Sequence, residues 1–170
     1  MSVNPREDEM FDFRMVQNTF RQKAIKTIIA ANCGGVKHTE ISLGDDLDIY
    51  LITPEDKINV VMEIWELAGL SADNVDLEAL QKISDIEKVL KTHVREDVKK
   101  TVNRLVVSGF SIKEQDLPGY IFKKSHSQTR LEIECILSRF NIDSRYIQIP
   151  KLKNVKSLYD CILRVLRRNS

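Results

Sequence analysis

The chain has 170 residues, of which 42% are apolar, and 26 Lys and Arg nearly balance 25 Asp and Glu. This length fits one domain or two small ones, and the apolar content excludes an intrinsically disordered chain. The acidic N-terminus does not resemble a secretory signal, and no run reaches the roughly 18–20 apolar residues of a membrane span. Three scattered cysteines indicate reduced thiols, so we expect a cytoplasmic or nuclear protein.

Charge is divided unevenly along the chain. Residues 1–80 contain 7 Lys and Arg against 15 Asp and Glu, whereas residues 81–170 contain 19 against 10, which gives −8 and +9. A basic half of this kind points to an acidic partner, most often nucleic acid. The acidic half is a candidate protein-contact surface, and attraction between the two halves of neighbouring copies would give a homo-oligomer.

The first half predicts a flexible leader followed by an acidic lobe. Residues 1–9 form the leader. A helix is predicted over residues 10–31, where apolar side chains recur every three or four positions before two glycines. Residues 39–51 alternate around a Gly-Asp-Asp turn, which predicts a β-hairpin, and a second helix is predicted over Pro54–Leu67. These elements make an acidic helix–hairpin–helix lobe over residues 10–70.

The second half, residues 71–170, predicts a basic lobe that is mostly helical. Thr92-His93 is expected to connect two of its helices, and two short strands, residues 110–112 and 120–122, are expected around a polar loop. The helices are predicted over residues 75–80, 83–91, 94–108, 127–140 and 154–168.

The order of helix, turn, charged helix, glycine and two strands in residues 83–124 resembles the winged-helix family of DNA-binding domains. The matching segments are ISDIEKVL, VKKTVNRLVVSGF and LPGYIF. In that family a helix that ends in a small residue, Gly and an aromatic residue leads into the wing. The resemblance covers about a quarter of the chain. The predicted fold class is therefore α+β and mostly helical, with a winged-helix-like lobe and C-terminal helices after the N-terminal lobe.

The helix over residues 94–108 is the candidate reading helix. A helix can enter the major groove of DNA when its exposed face is basic or neutral and its other face is buried. The acidic Glu96 and Asp97 in its first turn would repel phosphate and count against sequence-specific reading. The resemblance implies nucleic-acid contacts from Arg95, Lys99, Lys100, Asn103 and Arg104 on this helix, and from Lys113, Lys123 and Lys124 on the wing.

The last predicted helix is basic and amphipathic. Residues 151–170 carry six Lys and Arg, including Lys156, against one acid, Asp160. Such a helix could lie on an anionic membrane surface or in the groove of a partner, but packing on its own domain is the simpler interpretation.

Two segments raise the question of enzyme chemistry. Gly34-Gly35 with Asp46 and Asp48 looks like the Gly-Ser and Asp-x-Asp arrangement of nucleotidyltransferases, whose carboxylates hold Mg²⁺. Gly35 replaces the serine, however, and no third carboxylate is evident. Cys33 is expected at a helix C-terminus, where the dipole disfavours a thiolate. The sequence therefore predicts no catalytic, metal or cofactor site.

The preferred interpretation is a non-enzymatic nucleic-acid-binding or regulatory factor, with DNA favoured over RNA. The alternative is a protein-interaction adaptor or scaffold subunit of a larger assembly with no direct nucleic-acid contact, since winged-helix units also bind proteins.

Overall fold

The computed structural model describes residues 15–122 and 127–168. Short 3₁₀ turns connect the helices of this part of the chain, and its β-structure is limited to two isolated bridges. The α-helices are α1 (Asn18–Cys33), α2 (Pro54–Leu67), α3 (Ile83–Phe110), α4 (Ser127–Arg139) and α5 (Val155–Arg168). The fold is all-α, so the predicted α+β class is wrong.

The described residues divide into two compact units, and the boundary falls between Val94 and Arg95, within α3. We call residues 15–94 the N-terminal unit, and residues 95–122 with 127–168 the C-terminal unit. The predicted leader, residues 1–9, lies outside the described residues. Within the described ranges, no helix combines the length and the apolar composition that a membrane crossing requires.

Helix α2 has the bounds that the sequence predicts. The Thr53 hydroxyl accepts a hydrogen bond from the Asp56 amide at 3.2 Å, and the Asp56 carboxylate accepts one from the Thr53 amide at 3.3 Å. This reciprocal cap fixes the start of the helix. Gly69, with φ of 74°, follows its end in the left-handed conformation that terminates many helices. The side chains of α2 that enter the core are Val60, Val61, Ile64 and Trp65.

Helix α1 follows its predicted apolar pattern only in part, since Ile28 is buried as the spacing predicts and Phe20 is not. The sequence pattern places Phe20 in the core, but Phe20 is exposed and Arg21 is buried. The Arg21 guanidinium donates to the carbonyl oxygens of Met15 and Val16 at 3.2 and 3.0 Å, and it lies 3.5 Å from the Glu87 carboxylate. Because these acceptors compensate the charge, an arginine can occupy a core position that periodicity assigns to an apolar residue. The predicted start of this helix, residues 10–14, lies outside the described residues.

The predicted hairpin over residues 39–51 does not form. This segment contains two 3₁₀ turns, His38–Glu40 and Leu47–Ile49. Leu47 and Leu51 are buried four positions apart, whereas Ile49 between them is 63% exposed. The alternation in the sequence therefore does not correspond to the two faces of a strand.

The backbone of this segment pairs instead with the residues that begin α3. The amide of Ile83 donates to the carbonyl oxygen of Asp45 at 3.1 Å, and the amide of Ser84 donates to that of Leu43 at 2.8 Å. The first amides of a helix have no acceptor within the helix. The loop between the two 3₁₀ turns supplies these acceptors, so the carbonyl oxygens of Leu43 and Asp45 bind the start of α3 and not a hairpin partner.

Helix α3 is continuous through Thr92-His93, where the sequence predicts a connection. The Thr92 hydroxyl donates to the Lys88 carbonyl oxygen at 3.1 Å, and His93 Nδ1 accepts a hydrogen bond from Trp65 Nε1 at 2.9 Å. Neither residue is a helix breaker, and the apolar spacing continues across both. The buried positions of α3 are Ile83, Ile86, Leu90, Val94, Val98, Val102 and Val106.

The predicted wing does not form in the C-terminal unit. Helix α3 continues to Phe110 and ends at Ser111, which has φ of 52°. A 3₁₀ turn, Glu114–Gly119, follows, and Ile121 forms an isolated bridge with Asn154 rather than pairing with the other predicted strand. With α3 continuous, the described residues contain neither the helix–turn–helix nor the wing that the winged-helix resemblance implies.

The core of the C-terminal unit contains buried side chains of α3, α4 and α5, and an aromatic cluster adjoins the end of α3. The rings of Phe110 and Phe122 stack with their centroids 5.1 Å apart, and Tyr120 contacts both. Helices α4 and α5 begin and end within one residue of the predicted bounds. The buried residues of α5 are Leu158, Cys161, Ile162, Leu163 and Leu166, so this basic helix packs on its own unit.

We expect His93→Ala to lower the free energy of unfolding by about 1–3 kcal/mol, because it leaves the buried indole N–H of Trp65 without its acceptor. Chemical denaturation measures the change. Thr92→Ala is the matched control, since Thr92 is exposed, and it should change stability by less than about 0.5 kcal/mol. Equal stability of the two variants would contradict a structural role for this hydrogen bond.

We expect the Tyr50 phenol to titrate far above its ordinary value. Its hydroxyl donates to the Asp45 carboxylate at 2.6 Å, and this hydrogen bond raises the pKa of Tyr50 to about 12. The same bond lowers the pKa of Asp45. The phenolate absorbance of the protein minus that of Tyr50→Phe should therefore rise with a midpoint near pH 12.

The raised pKa of Tyr50 determines how the free energy of unfolding changes with pH. The contribution of Tyr50 is complete below the ordinary phenol pKa of 10.0 and is lost as the pH rises through about 12. A difference titration with its midpoint at the ordinary value would show that the bond to Asp45 is not held in solution.

Candidate nucleic-acid interface

Five of the predicted nucleic-acid contacts lie on the part of α3 that belongs to the C-terminal unit. Their side chains divide by exposure, with Lys99, Lys100 and Arg104 exposed and Arg95 and Asn103 half-buried. The other three predicted contacts belong to the wing, which does not form in the part of the chain that the structure describes. Lys113 is exposed just before the 3₁₀ turn Glu114–Gly119, while Lys123 and Lys124 lie outside the described residues.

The helical contacts do not share one face. A step of four residues advances about 40° around an α-helix, so Lys99 and Asn103 lie nearly in line along it. Lys100 and Arg104 form a second line, displaced by about 100°. Burial raises the pKa of the nearby Asp97 carboxyl group, and the charges of Lys100 and Arg104 act on that group in the direction that lowers its pKa. The structure therefore separates two pairs that the sequence treats as one surface.

The first pair lies in a cleft of the C-terminal unit with a volume of about 490 Å³. Helix α3 forms one side of it, the turn after α3 forms another, and the start of α5 forms the third. The residues that line the cleft are Lys99, Asn103, Leu117, Pro118, Asn154, Val155, Lys156, Tyr159 and Asp160. Lys99 and Lys156, which are far apart in the sequence, therefore line the same cleft.

The start of α5 is fixed by two hydrogen bonds within its own first turn and by one hydrogen bond to α3. Asn154 Oδ1 accepts from the Ser157 amide at 2.9 Å, and Ser157 Oγ accepts from the Asn154 amide at 3.0 Å. This pair fixes the first turn of α5 and thereby the position of Lys156. The Tyr159 hydroxyl donates to the carbonyl oxygen of Arg95 at 3.3 Å, which links α5 directly to α3.

The cleft lies in a strongly basic part of the chain. Residues 95–169 carry 16 Lys and Arg against 8 Asp and Glu, a balance of +8. Asp160 is the carboxylate that lines the cleft. Burial raises the pKa of Tyr159, so its phenol is uncharged at neutral pH. The local charge is set by two lysines and one aspartate in a surrounding field that is positive.

The acidic residues in the first turn of the predicted reading helix differ in their surroundings. Glu96 is exposed, whereas Asp97 is half-buried. Burial raises the pKa of Asp97, and the charges of Lys100 and Arg104 act in the opposite direction. Asp97 therefore offsets part of the charge of the second pair, whereas Glu96 is free to oppose an approaching phosphate through solvent.

The chemistry of the cleft is that of binding. Ammonium groups and a side-chain amide are donors for phosphate oxygens. Outside the cleft, Asp46 directly precedes a 3₁₀ turn of the N-terminal unit, and Asp48 lies within that turn. The two carboxylates therefore do not share one face of a strand, and the nucleotidyltransferase arrangement is not formed. Among the described residues, no group of three or more His, Cys, Asp or Glu could hold a metal ion.

The sequence prediction of the site lacks Lys156 and Tyr159. The basic composition of α5 is plain in the sequence, but nothing in its periodicity shows that its first turn lies beside Lys99. Their proximity depends on the Tyr159–Arg95 hydrogen bond and on the bridge between Ile121 and Asn154, both of which join distant segments.

Comparison with protein-family models, with curated proteins and with solved structures gives no match. Function is therefore inferred from the residues of this chain alone.

We expect Asp97→Asn to stabilise the protein at neutral pH. Because the pKa of Asp97 is raised in the folded state, the stability associated with its protonated form is present at low pH and is lost as the pH rises through that raised value. The substitution removes this penalty, so its stabilising effect should vanish near about pH 3, where carboxyl groups are protonated.

Urea denaturation at the two pH values measures the difference, with the exposed neighbour Glu96→Gln as the control. An Asp97→Asn protein that gains no more stability at neutral pH than the control would show that burial of Asp97 carries no penalty.

Proposed function

We propose that the C-terminal unit binds the phosphate backbone of nucleic acid, and that the protein acts as a binding or regulatory factor rather than as an enzyme. One observation carries the proposal. Lys99 and Asn103 of α3 and Lys156 of α5 line a single cleft, in a part of the chain with a balance of +8. Cations from two basic helices thus meet at one place, as a phosphate-binding surface requires.

Phosphate binding does not require the predicted winged-helix architecture, which the described residues do not form. A helix–turn–helix and a wing place side chains against base edges, whereas phosphate contacts need only donors and positive charge at the surface. The preference for DNA over RNA depended on the winged-helix resemblance. The proposal therefore specifies the nucleic-acid backbone and no sequence, and it fits the cytoplasmic or nuclear location that the reduced cysteines predict.

We expect the double variant Lys99→Glu and Lys156→Glu to bind nucleic acid much more weakly than the unmodified protein. Fluorescence anisotropy with labelled duplex DNA, and with single-stranded RNA in parallel, gives the affinity at several salt concentrations. If both lysines contact phosphate, the slope of log affinity against log salt should fall by about 1.8 for duplex DNA. The matched control reverses Lys23 and Lys88, two exposed lysines of the N-terminal unit, and changes the net charge equally.

A second comparison locates the contacts. Reversing Lys100 and Arg104 should weaken binding less than reversing the cleft pair, because these side chains contribute mainly to the general field. Equal losses in the cleft variant and in the N-terminal control would contradict the proposed interface. Failure of both nucleic acids to bind at low salt would contradict the proposed function and favour the adaptor that makes no nucleic-acid contact.

A further inference from the structure

A second concave surface lies in the N-terminal unit, and its chemistry is opposite to that of the basic cleft. It is a groove of about 480 Å³ between α2 and the segment that follows that helix. Most of its lining is apolar. The apolar residues that form its floor and sides include Ile58, Val61, Met62, Leu70, Val75 and Leu77.

The groove exposes apolar side chains that the core of the unit does not use. Val60 and Ile64 are buried on the part of α2 turned away from the groove, whereas Met62 is 56% exposed and Ile58 is partly exposed one turn before it. Single exposed apolar residues are common on protein surfaces and need no explanation. These two lie in one groove with four further apolar residues, which is the arrangement of a binding surface.

The shape of the groove is fixed by the way α2 ends. The chain reverses at Gly69, which has φ of 74°. The amide of Gly69 donates to the Glu66 carbonyl oxygen, and the amide of Leu70 donates to that of Trp65, both at 2.9 Å. This termination reverses the chain directly after α2, so that Leu70 lines the groove together with Met62. A groove that is ordered before binding loses less entropy when it is filled.

The acidic residues in and around the groove indicate the charge of the ligand that it would bind. Two carboxylates, Glu66 and Asp73, lie in its lining, and no Lys or Arg does. The surrounding sequence has the same sign, because residues 40–80 contain 11 Asp and Glu and a single basic residue, Lys57. An acidic ligand would be repelled, and a purely polar cation would leave the apolar floor in water. The complementary ligand is therefore both apolar and basic.

We propose that this groove binds an amphipathic helix of a partner protein, with apolar side chains on one face and Lys or Arg beside them. A helix presents such side chains at positions three and four apart, a spacing that suits Ile58 and Met62 on successive turns of α2. An extended peptide would add to a strand edge, and the described residues of the N-terminal unit contain no strand. Methionine suits this role because its flexible side chain adapts to different apolar surfaces. The proposal is independent of nucleic-acid binding by the C-terminal unit.

Two synthetic peptides test the proposal against the full-length protein. Each has about 16 residues with leucines on one helical face, long enough to form a helix on binding. Lysines occupy the other face of the first peptide, and glutamates occupy that of the second. Fluorescence anisotropy at moderate salt should show saturable binding of the lysine peptide and none of the glutamate peptide. In protein labelled at the methionine methyl groups, the lysine peptide should shift the Met62 signal and leave that of the buried Met15 unchanged.

A pair of matched variants separates the groove from general attraction. Met62→Glu should weaken binding of the lysine peptide by about tenfold or more, because it places a charge on the apolar floor. Ile52→Glu adds the same charge at a residue that is 85% exposed and outside the groove, and it should leave the affinity unchanged. Both positions are exposed, so both variants should retain the helical circular dichroism of the unmodified protein.

A third comparison tests the carboxylates. Glu66→Gln with Asp73→Asn should weaken binding more than Asp48→Asn with Glu78→Gln, which neutralises two exposed acids outside the groove. Equal binding of the two peptides, equal loss in Met62→Glu and Ile52→Glu, or an unmoved Met62 signal would overturn the proposal. Sedimentation that shows self-association of the protein, abolished by Met62→Glu, would also overturn it and identify a second copy of this chain as the occupant.

Discussion

The spacing of apolar residues along α3 is the constraint on which the rest of the structure depends. From Leu90 to Val106 every fourth residue is aliphatic, and each of these side chains is almost completely buried. A break at Thr92-His93 would change the phase of every later position and expose aliphatic side chains to water. Exposing each of these side chains costs on the order of 1.5–3 kcal/mol. This cost exceeds the small penalty for placing Thr and His, whose helix propensities are modest, inside a helix. The helix therefore continues, and it contributes buried residues to the core of each unit.

Local sequence signals were sufficient to predict α2 and α5. The predicted β-hairpin failed because its backbone bonds to the start of α3, which is distant in the sequence. Helix α2 has a proline, a capping threonine and a terminating glycine within its own segment, and α5 has a regular apolar stripe, so local signals suffice. The hairpin prediction depended on alternation that any loop with three buried aliphatic residues can imitate. What decides between hairpin and loop is the acceptor that α3 needs at its first amides, and Asp45 and Leu43 supply it from a distant segment. No window of sequence contains both partners.

The candidate interface shows the same division between local and long-range information. Composition identifies the second half of the chain, which includes Lys99 and the basic α5, as positively charged, whereas Asn103 was implied by the winged-helix resemblance. Which cations act together is a tertiary property, because the cap formed by Asn154 and Ser157 and the hydrogen bond from Tyr159 set where Lys156 lies. Sequence periodicity would have separated Lys99 from Lys100 had the winged-helix resemblance not grouped them. The resemblance was carried by a glycine followed by an aromatic residue, and here that pair lies inside and at the end of α3 rather than before a wing.

The two concave surfaces have chemistries that exclude each other's ligands. Nucleic acid is repelled by the 11 carboxylates of residues 40–80, and a basic amphipathic helix is repelled by the cations of residues 95–169. Each surface therefore discriminates partly by repulsion, which needs no detailed contacts and acts before docking. The near-zero net charge of the whole chain conceals these opposite balances, which are −10 for residues 40–80 and +8 for residues 95–169. The two proposed ligands, an anionic polymer and a cationic protein segment, would therefore not compete for one surface.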